Sequence, residues 1–442
     1  MRGRGRPAYD LASLATVLRD GIDSGGRQLD PLMPRYEMND SDIEALSVYL
    51  KSLAFELSAG VEESKIHLAT IAAKNADASE RASMLEIIQA FAADKNSNSR
   101  NESGRAARGP YFRAYMDVSY RKWDLHVWEL EGEPETWREQ LEALYAAQPV
   151  FALVSGRGDG SWQPVHDFCE ANEIPCIFPI TDQPVLDEDF YSIYLSGGLY
   201  RAAEAVAGYL EGRLATGPAP VLQVYRSGSE GEVMAEAVLE ASGKSSPAIE
   251  SVKIETASTP GAGFWETLFR ERGPGIVLLW LKASDLGNLT SESILGLGAP
   301  GLVVLSDTLT GEEAYSSLQP IRERVRVVSL RELPERRERG LLRLRAWLKP
   351  RDIALSHPRI QADALLAATL VGSSIRHMRR NFSREYMIEI IEHGLDNSVF
   401  RSVYPQLTLG PNQRLASKSV YVLRPLGDGQ DGWESVDEAV GN

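Results

Sequence analysis

From about residue 61 onward, short apolar runs alternate with amphipathic stretches of helical period. "KIHLATIAA", "WDLHVWEL", "VFALVSG", "PCIFPI", "PVLQVYR", "ESVKIET", "GIVLLWL", "GLVVLSD" and "RVRVVSL" read as strands. "SERASMLEIIQAFAA", "TWREQLEALYAAQ", "PVHDFCEAN" and "LYRAAEAVAGYLEGRL" read as the helices among them. A run such as "GIVLLWL" is apolar throughout rather than alternating, the pattern of a strand covered on both faces, and strands alternating with helices mean parallel sheets. So many strands exceed one sheet of usual width, and two α/β lobes are expected.

The first sixty residues follow a different rhythm. Leu11, Leu14, Val17 and Leu18 share one helical face, with Gly21 placed to end the helix. Asn39 is placed to cap a second helix, with Asp40 and Asp42 at its positive end and Ile43, Leu46, Tyr49, Leu50 and Leu53 at helical spacing. A glycine- and proline-punctuated loop joins the two. Two short helices build little core, and domains this small usually add a metal, a disulfide or a cofactor.

Composition narrows the classes. A chain of 442 residues calls for two or three folding units, and 43% hydrophobic with 25% charged residues is ordinary for a globular protein. A net charge of −15 argues against a nucleic-acid surface. The arginine-rich stretches at 322–351 and in "RHMRRNFSR" (376–384) read as solvated faces and strand ends. No apolar run is long enough to span a membrane, and "MRGRGRPAYD" lacks the apolar core of an export signal. Cys169 and Cys176 are the two cysteines, and either a disulfide or two buried thiols fits their spacing.

Enzyme signals are weak. No strand is followed by GxGxxG or GxxxxGK[ST]; "GRGDGS" at 156–161 has the wrong spacing. No G-x-S-x-G elbow occurs. His166 and Cys169 lie one helical turn apart, but on a buried face such a pair is more often core than metal site.

Two stretches carry resemblances. "LDPLMPRYEMNDSDIEALSVYLKSL" (29–53) resembles the C-terminal half of a class I cytochrome c. That resemblance implies haem c, with Met33 as the distal iron ligand, Leu29 and Tyr36 lining the haem pocket, electron transfer, and a redox partner protein. The attachment motif CXXCH is missing: no Cys or His precedes His67. A start at an internal methionine of a longer frame would account for the missing motif and the missing leader together; a remnant that has lost haem is the alternative.

"QPVFALVSGRGDGSWQPVHDFCEANEIPCIFPITDQP" and "YPQLTLGPNQRLASKSVYVLRP" resemble type I periplasmic binding proteins of the branched-chain amino acid class. The implied architecture is an α/β, two-lobed type I periplasmic-binding fold with parallel sheets over 61–425, preceded by a small all-α cytochrome c-like segment over 1–55. One lobe would take 61–190 and 310–400, the other 191–309 and 401–425, leaving 426–442 as a disordered tail. The implied function is binding of a small solute, an amino acid, an amide or similar, in a periplasmic location, without catalysis. Carried over by position, Ser155, Thr181, Tyr225 and Asp307 follow strands where the family binds ligand, Asp307 suiting an ammonium. The loops "KNADASER" and "YRSGSEGE" depart from the family pattern.

Overall fold

The structure is a computed structural model that describes residues 9–52, 58–106, 121–187, 189–243, 248–256, 258, 260–289, 296, 298–311, 319–378, 381–396, 403–410, 413–426 and 432–440. The chain divides into two compact units, 1–58 and 59–442.

The first unit is built on two helices. α1 (Leu11–Arg19) opens with a capping box: Asp10 Oδ1 accepts from the Ser13 N–H at 2.8 Å, and Ser13 Oγ accepts from the Asp10 N–H at 2.9 Å. Gly21, at φ +72°, carries the chain out of the helix in the left-handed region. α2 (Asp40–Ser52) is capped as the sequence indicates, Asn39 Oδ1 accepting from the Asp42 N–H at 2.9 Å. Val17 and Ile43 are buried, while Tyr49 faces solvent; the side chain of Leu50, and Leu53 altogether, lie outside the described residues.

The second unit carries two sheets. The first is all parallel, in the order β2-β1-β3-β4-β5, from β1 (Lys65–Ala73), β2 (Lys122–Leu130), β3 (Ala152–Val154), β4 (Cys176–Ile177) and β5 (Ser192–Ile193). The second has the order β12-β11-β10-β9-β8-β6-β7, from β6 (Val221–Arg226), β7 (Ile249–Ile254), β8 (Ile276–Trp280), β9 (Leu302–Ser306), β10 (Val325–Ser329), β11 (Ser419–Pro425) and β12 (Trp433–Val440). β6 to β10 pair in parallel, and β11 and β12 close that edge antiparallel.

The helices are α3 (Ala78–Ala106), α4 (Trp137–Ala147), α5 (Gln163–Ala171), α6 (Gly198–Thr216), α7 (Glu230–Ser242), α8 (Ala262–Arg272), α9 (Pro334–Leu348), α10 (Pro358–Met378) and α11 (Arg384–Asp396). The main apolar core runs from Ile66 and Leu68 of β1 through α10 and α6 to Leu278 and Val304 of the second sheet. Cys169 and Cys176 form a disulfide, Cα–Cα 6.3 Å, that fastens α5 to β4.

Three sequence expectations are corrected here. Val325–Ser329 pairs with β9 and β11, so the return to the first lobe falls at α10, where Gly372 lies against Phe91 and Trp123, and not at 310. Trp433–Val440 is a strand on β11 rather than part of a disordered tail. The arginine-rich stretches are not wholly solvated faces: Arg337 and Arg384 are buried, and Arg384 donates to the carbonyls of Val150 at 2.7 Å and Asn172 at 2.9 Å.

Candidate functional site

In parallel sheets, the loops after the carboxyl ends of strands leave backbone and side-chain polar groups unspent, and ligands bind there. The two lobes of the second unit enclose a cavity of about 410 Å³ at such loops. The first lobe contributes Asp77 and Glu80 at the start of α3, Arg157 and Asp159 after β3, and Asp182 after β4. The second contributes Glu230 at the start of α7, Lys282 after β8, and Thr308 and Leu309 after β9. Ser356 to Ile360, where α10 begins, completes the wall.

Most of these charges are already spent on one another. Arg157 is buried and pairs with Glu80 at 2.8 Å and Asp159 at 2.6 Å. Arg359 pairs with Asp182. Burial works against charge on the Asp182 carboxyl, but Arg359, backed by Arg157 and Arg331, outweighs it and holds the group below the usual carboxylate range. Asp77 caps α3, accepting from the Ser79 N–H at 2.8 Å and the Glu80 N–H at 3.1 Å. His357 ties α10 to α3 through Ser83 Oγ at 3.0 Å and Ser79 Oγ at 3.2 Å.

Glu230 and Lys282 differ: among the described residues neither side chain makes a hydrogen bond or ion pair. Burial first, then Asp182 and Asp159, push the Glu230 carboxyl up to about 7. Its place is fixed by local sequence. Ser229 Oγ accepts from the Gly231 N–H at 3.1 Å, and a Cβ at position 231 would lie 2.0 Å from the Trp280 carbonyl, so only glycine lets α7 start this close to β8. Gly198, at φ +55°, performs the same service beside the Asp182 carbonyl at the start of α6.

The residues picked from sequence sit beside this cavity rather than on its wall. Ser155 follows β3 at φ +58°, buried, with no partner for its Oγ among the described residues. Thr181 Oγ1 accepts from the Gln183 N–H at 3.1 Å. Each is followed within one to four positions by lining residues. Tyr225 packs half-buried against the core.

Asp307 is the clear correction. It is buried, accepts from Ser329 Oγ at 2.7 Å, and pairs with Arg331 at 2.6 Å and Arg337 at 3.5 Å. Burial would raise its carboxyl, but the two guanidinium groups outweigh it and hold the group below its usual range. Its charge is committed to arginine, and the next two residues line the cavity instead. Sequence reasoning missed five lining carboxylates: Asp77, Glu80 and Glu230 lie in "KNADASER" and "YRSGSEGE", the two loops whose departure from the family pattern was the available signal, while Asp159 and Asp182 lie just beyond Ser155 and Thr181.

In the first unit, Met33 and Tyr36 are exposed and Leu29 is half-buried; Leu32 is 91% exposed, and Val48 and Tyr49 also face solvent. Exposed apolar side chains and a thioether are the kind of groups one face of a haem packs against. A haem site also needs a second axial ligand and, for covalent attachment, two thiols, and residues 1–58 contain no His or Cys. The residues present therefore fit one wall of such a site and not the whole.

No protein-family profile matches the chain, and no curated protein matches it by sequence. Solved structures do match in fold. One is a possible leucine/isoleucine/valine-binding protein from Rhodopirellula baltica, with 14% identity, TM-score 0.56, and 86% of this chain and 98% of that one covered. Another is a leucine-binding protein from Thermotoga maritima, with 13% identity, TM-score 0.55, and 84% and 98% covered. A third is a fatty acid ABC transporter substrate-binding protein from Thermomonospora curvata, with 14% identity, TM-score 0.54, and 86% and 94% covered. The chain has the two-lobed type I periplasmic-binding fold.

Proposed function

We propose that this protein binds a small polar solute between its lobes, as a substrate-binding component of a transport system rather than as a catalyst. The observation that carries this reading is the interlobe cavity in which Glu230 and Lys282 remain available while the neighbouring charges are paired. A zwitterion such as an amino acid, or a small amine, matches that pair: its ammonium meets the Glu230, Asp159 and Asp182 side, and a carboxylate meets Lys282. The resemblance to solved substrate-binding proteins supports the class, and their descriptions name leucine and fatty acids as cargo of those proteins. A periplasmic location is proposed with it, supported by the Cys169–Cys176 disulfide, a bond that persists in oxidising compartments.

Thermal unfolding against a panel of amino acids, amines, short amides and urea tests the reading. A ligand at a hundredfold its Kd adds about 2.7 kcal/mol to stability. Glu230→Gln should weaken an amine ligand at least tenfold, and Lys282→Ala should do so for its carboxylate. For the wild type, affinity should fall on acidification through about pH 7, as Glu230 gains its proton. A shift in melting temperature that survives both substitutions would place the ligand elsewhere.

For the N-terminal unit we propose a second reading, the distal wall of a haem site centred on Met33. The exposed apolar set around Met33 favours it. A haem there would supply one-electron redox chemistry and imply a redox partner. The chain as it stands should purify without thioether-linked haem, since neither cysteine lies in that unit. A pyridine haemochrome assay showing one covalent haem per chain would overturn this.

A further inference from the structure

We propose a divalent metal site of the zinc class at the amino-terminal end of the first lobe's sheet, formed by His67, Asp124 and His126, with Glu62 orienting His67. In the parallel register of β1 and β2, His67 stands opposite Asp124 and Ala69 opposite His126, so the three side chains share one face of the sheet. One ligand atom from each lies within 4.8 Å of the other two, the single His, Cys, Asp and Glu grouping of this kind among the described residues. The site is separate from the interlobe cavity, which lies at the opposite ends of these strands.

The distances suit one ion. His67 Nδ1 is 3.0 Å from His126 Nε2 and 3.9 Å from Asp124 Oδ2. Donors about 2.0–2.1 Å from a tetrahedral zinc stand roughly 3.4 Å apart, between those two values. Two imidazoles and one carboxylate are a donor set for zinc, nickel or copper rather than for calcium or magnesium.

The tautomer argument is independent of distance. His67 Nε2 lies 3.0 Å from Glu62 Oε1, and a carboxylate only accepts, so that nitrogen carries a proton and, in the neutral ring, Nδ1 presents a bare lone pair. His67 is buried and cannot turn this lone pair to water. The ring centres are 5.3 Å apart with the planes at 21°, so the rings meet edge to edge and His126 Nε2 faces His67 Nδ1. Either a proton or a metal ion must stand between the two nitrogens. A carboxylate behind a metal-binding histidine is the usual outer partner that fixes ring and tautomer. Lys65 Nζ, 3.0 Å from Asp124 Oδ2, is half-exposed and has solvent to move into when the carboxylate turns to an ion.

The test uses the full chain, with Co²⁺ as a spectroscopic probe and Zn²⁺ in competition. Wild type should show saturable visible absorption at one Co²⁺ per chain, displaced by Zn²⁺. His126→Ala should abolish that spectrum and weaken Zn²⁺ at least a hundredfold. Asp124→Asn should weaken it about tenfold and Glu62→Gln by about 10–100-fold, the usual cost of losing an outer partner. His126 and Asp124 are half-exposed, and urea unfolding of the metal-free variants should match wild type. No saturable spectrum from wild type, or wild-type Zn²⁺ affinity in both His126→Ala and Asp124→Asn, would overturn the proposal.

Discussion

Asp307→Ala is expected to destabilise the protein by about 3–5 kcal/mol, the usual cost of removing one partner from a buried ion pair. The reason lies in what stays behind. Arg331 and Arg337 would keep their charges in a buried site without the carboxylate that now meets both, and Ser329 would lose its acceptor. Urea unfolding at neutral pH measures the loss. A cost below about 1 kcal/mol would be that of an exposed pair. It would mean that water reaches the arginines, and with them the Asp307 carboxylate.

Asp363→Asn should remove a pH dependence from the protein's stability. Asp363 is buried on α10 beside Tyr404, whose hydroxyl donates to Oδ2 at 3.1 Å, and Oδ1 has no partner among the described residues. Burial first, with Asp182 adding to it, pushes the carboxyl from 3.8 to about 7, against Arg359, Tyr404 and Arg331, which pull it down. A carboxyl with a raised folded pKa favours the folded state while protonated. Its contribution is therefore full below about pH 3.8 and is lost as pH rises toward about 7, beyond which the loss is complete. The full difference is about 4 kcal/mol, from roughly three pKa units at 1.36 kcal/mol each. Asparagine does not ionise, so the variant should gain on wild type steadily between pH 4.5 and 7.5 in urea unfolding. Parallel stability curves for the two proteins would sink this assignment.

The sequence made the fold legible because the strands of the second unit are buried on both faces. "GIVLLWL" and "GLVVLSD" have no polar face to confuse their period, and both became central strands, Ile276–Trp280 and Leu302–Ser306. "RVRVVSL" was just as clear as a strand, yet its lobe was misplaced. Which sheet a strand joins depends on partners far along the chain, here Leu302–Ser306 and Ser419–Pro425, and local periodicity carries no trace of them. The final strand is written in "WESVDEAV", whose polar residues suit an edge and resemble a tail.

At the cleft, strand ends gave the neighbourhood but not the residues. Ser155 and Thr181 occupy the expected loops, while the wall is formed by Arg157, Asp159 and Asp182. The loop's path decides this: Ser155 and Gly156 both take positive φ, which alters where the next side chains emerge. Asp307 was misread because an aspartate that meets a ligand and one that meets two arginines look alike until the third dimension is known.

The order of strands also sets a timetable for synthesis. The first lobe's sheet is complete once β5 has emerged, but α10 and Phe382 just beyond it, which meet Phe91, Trp123 and Phe151, come only after almost all of the second lobe. The second lobe in turn waits for β11 and β12, ninety residues or more after β10 ends. One face of the first sheet is covered by α4 and α5, made soon after its first strands, but the face turned to α10 stays open until residues 358–378 are made. Holding chaperones should therefore govern the yield of this protein more than its final stability does.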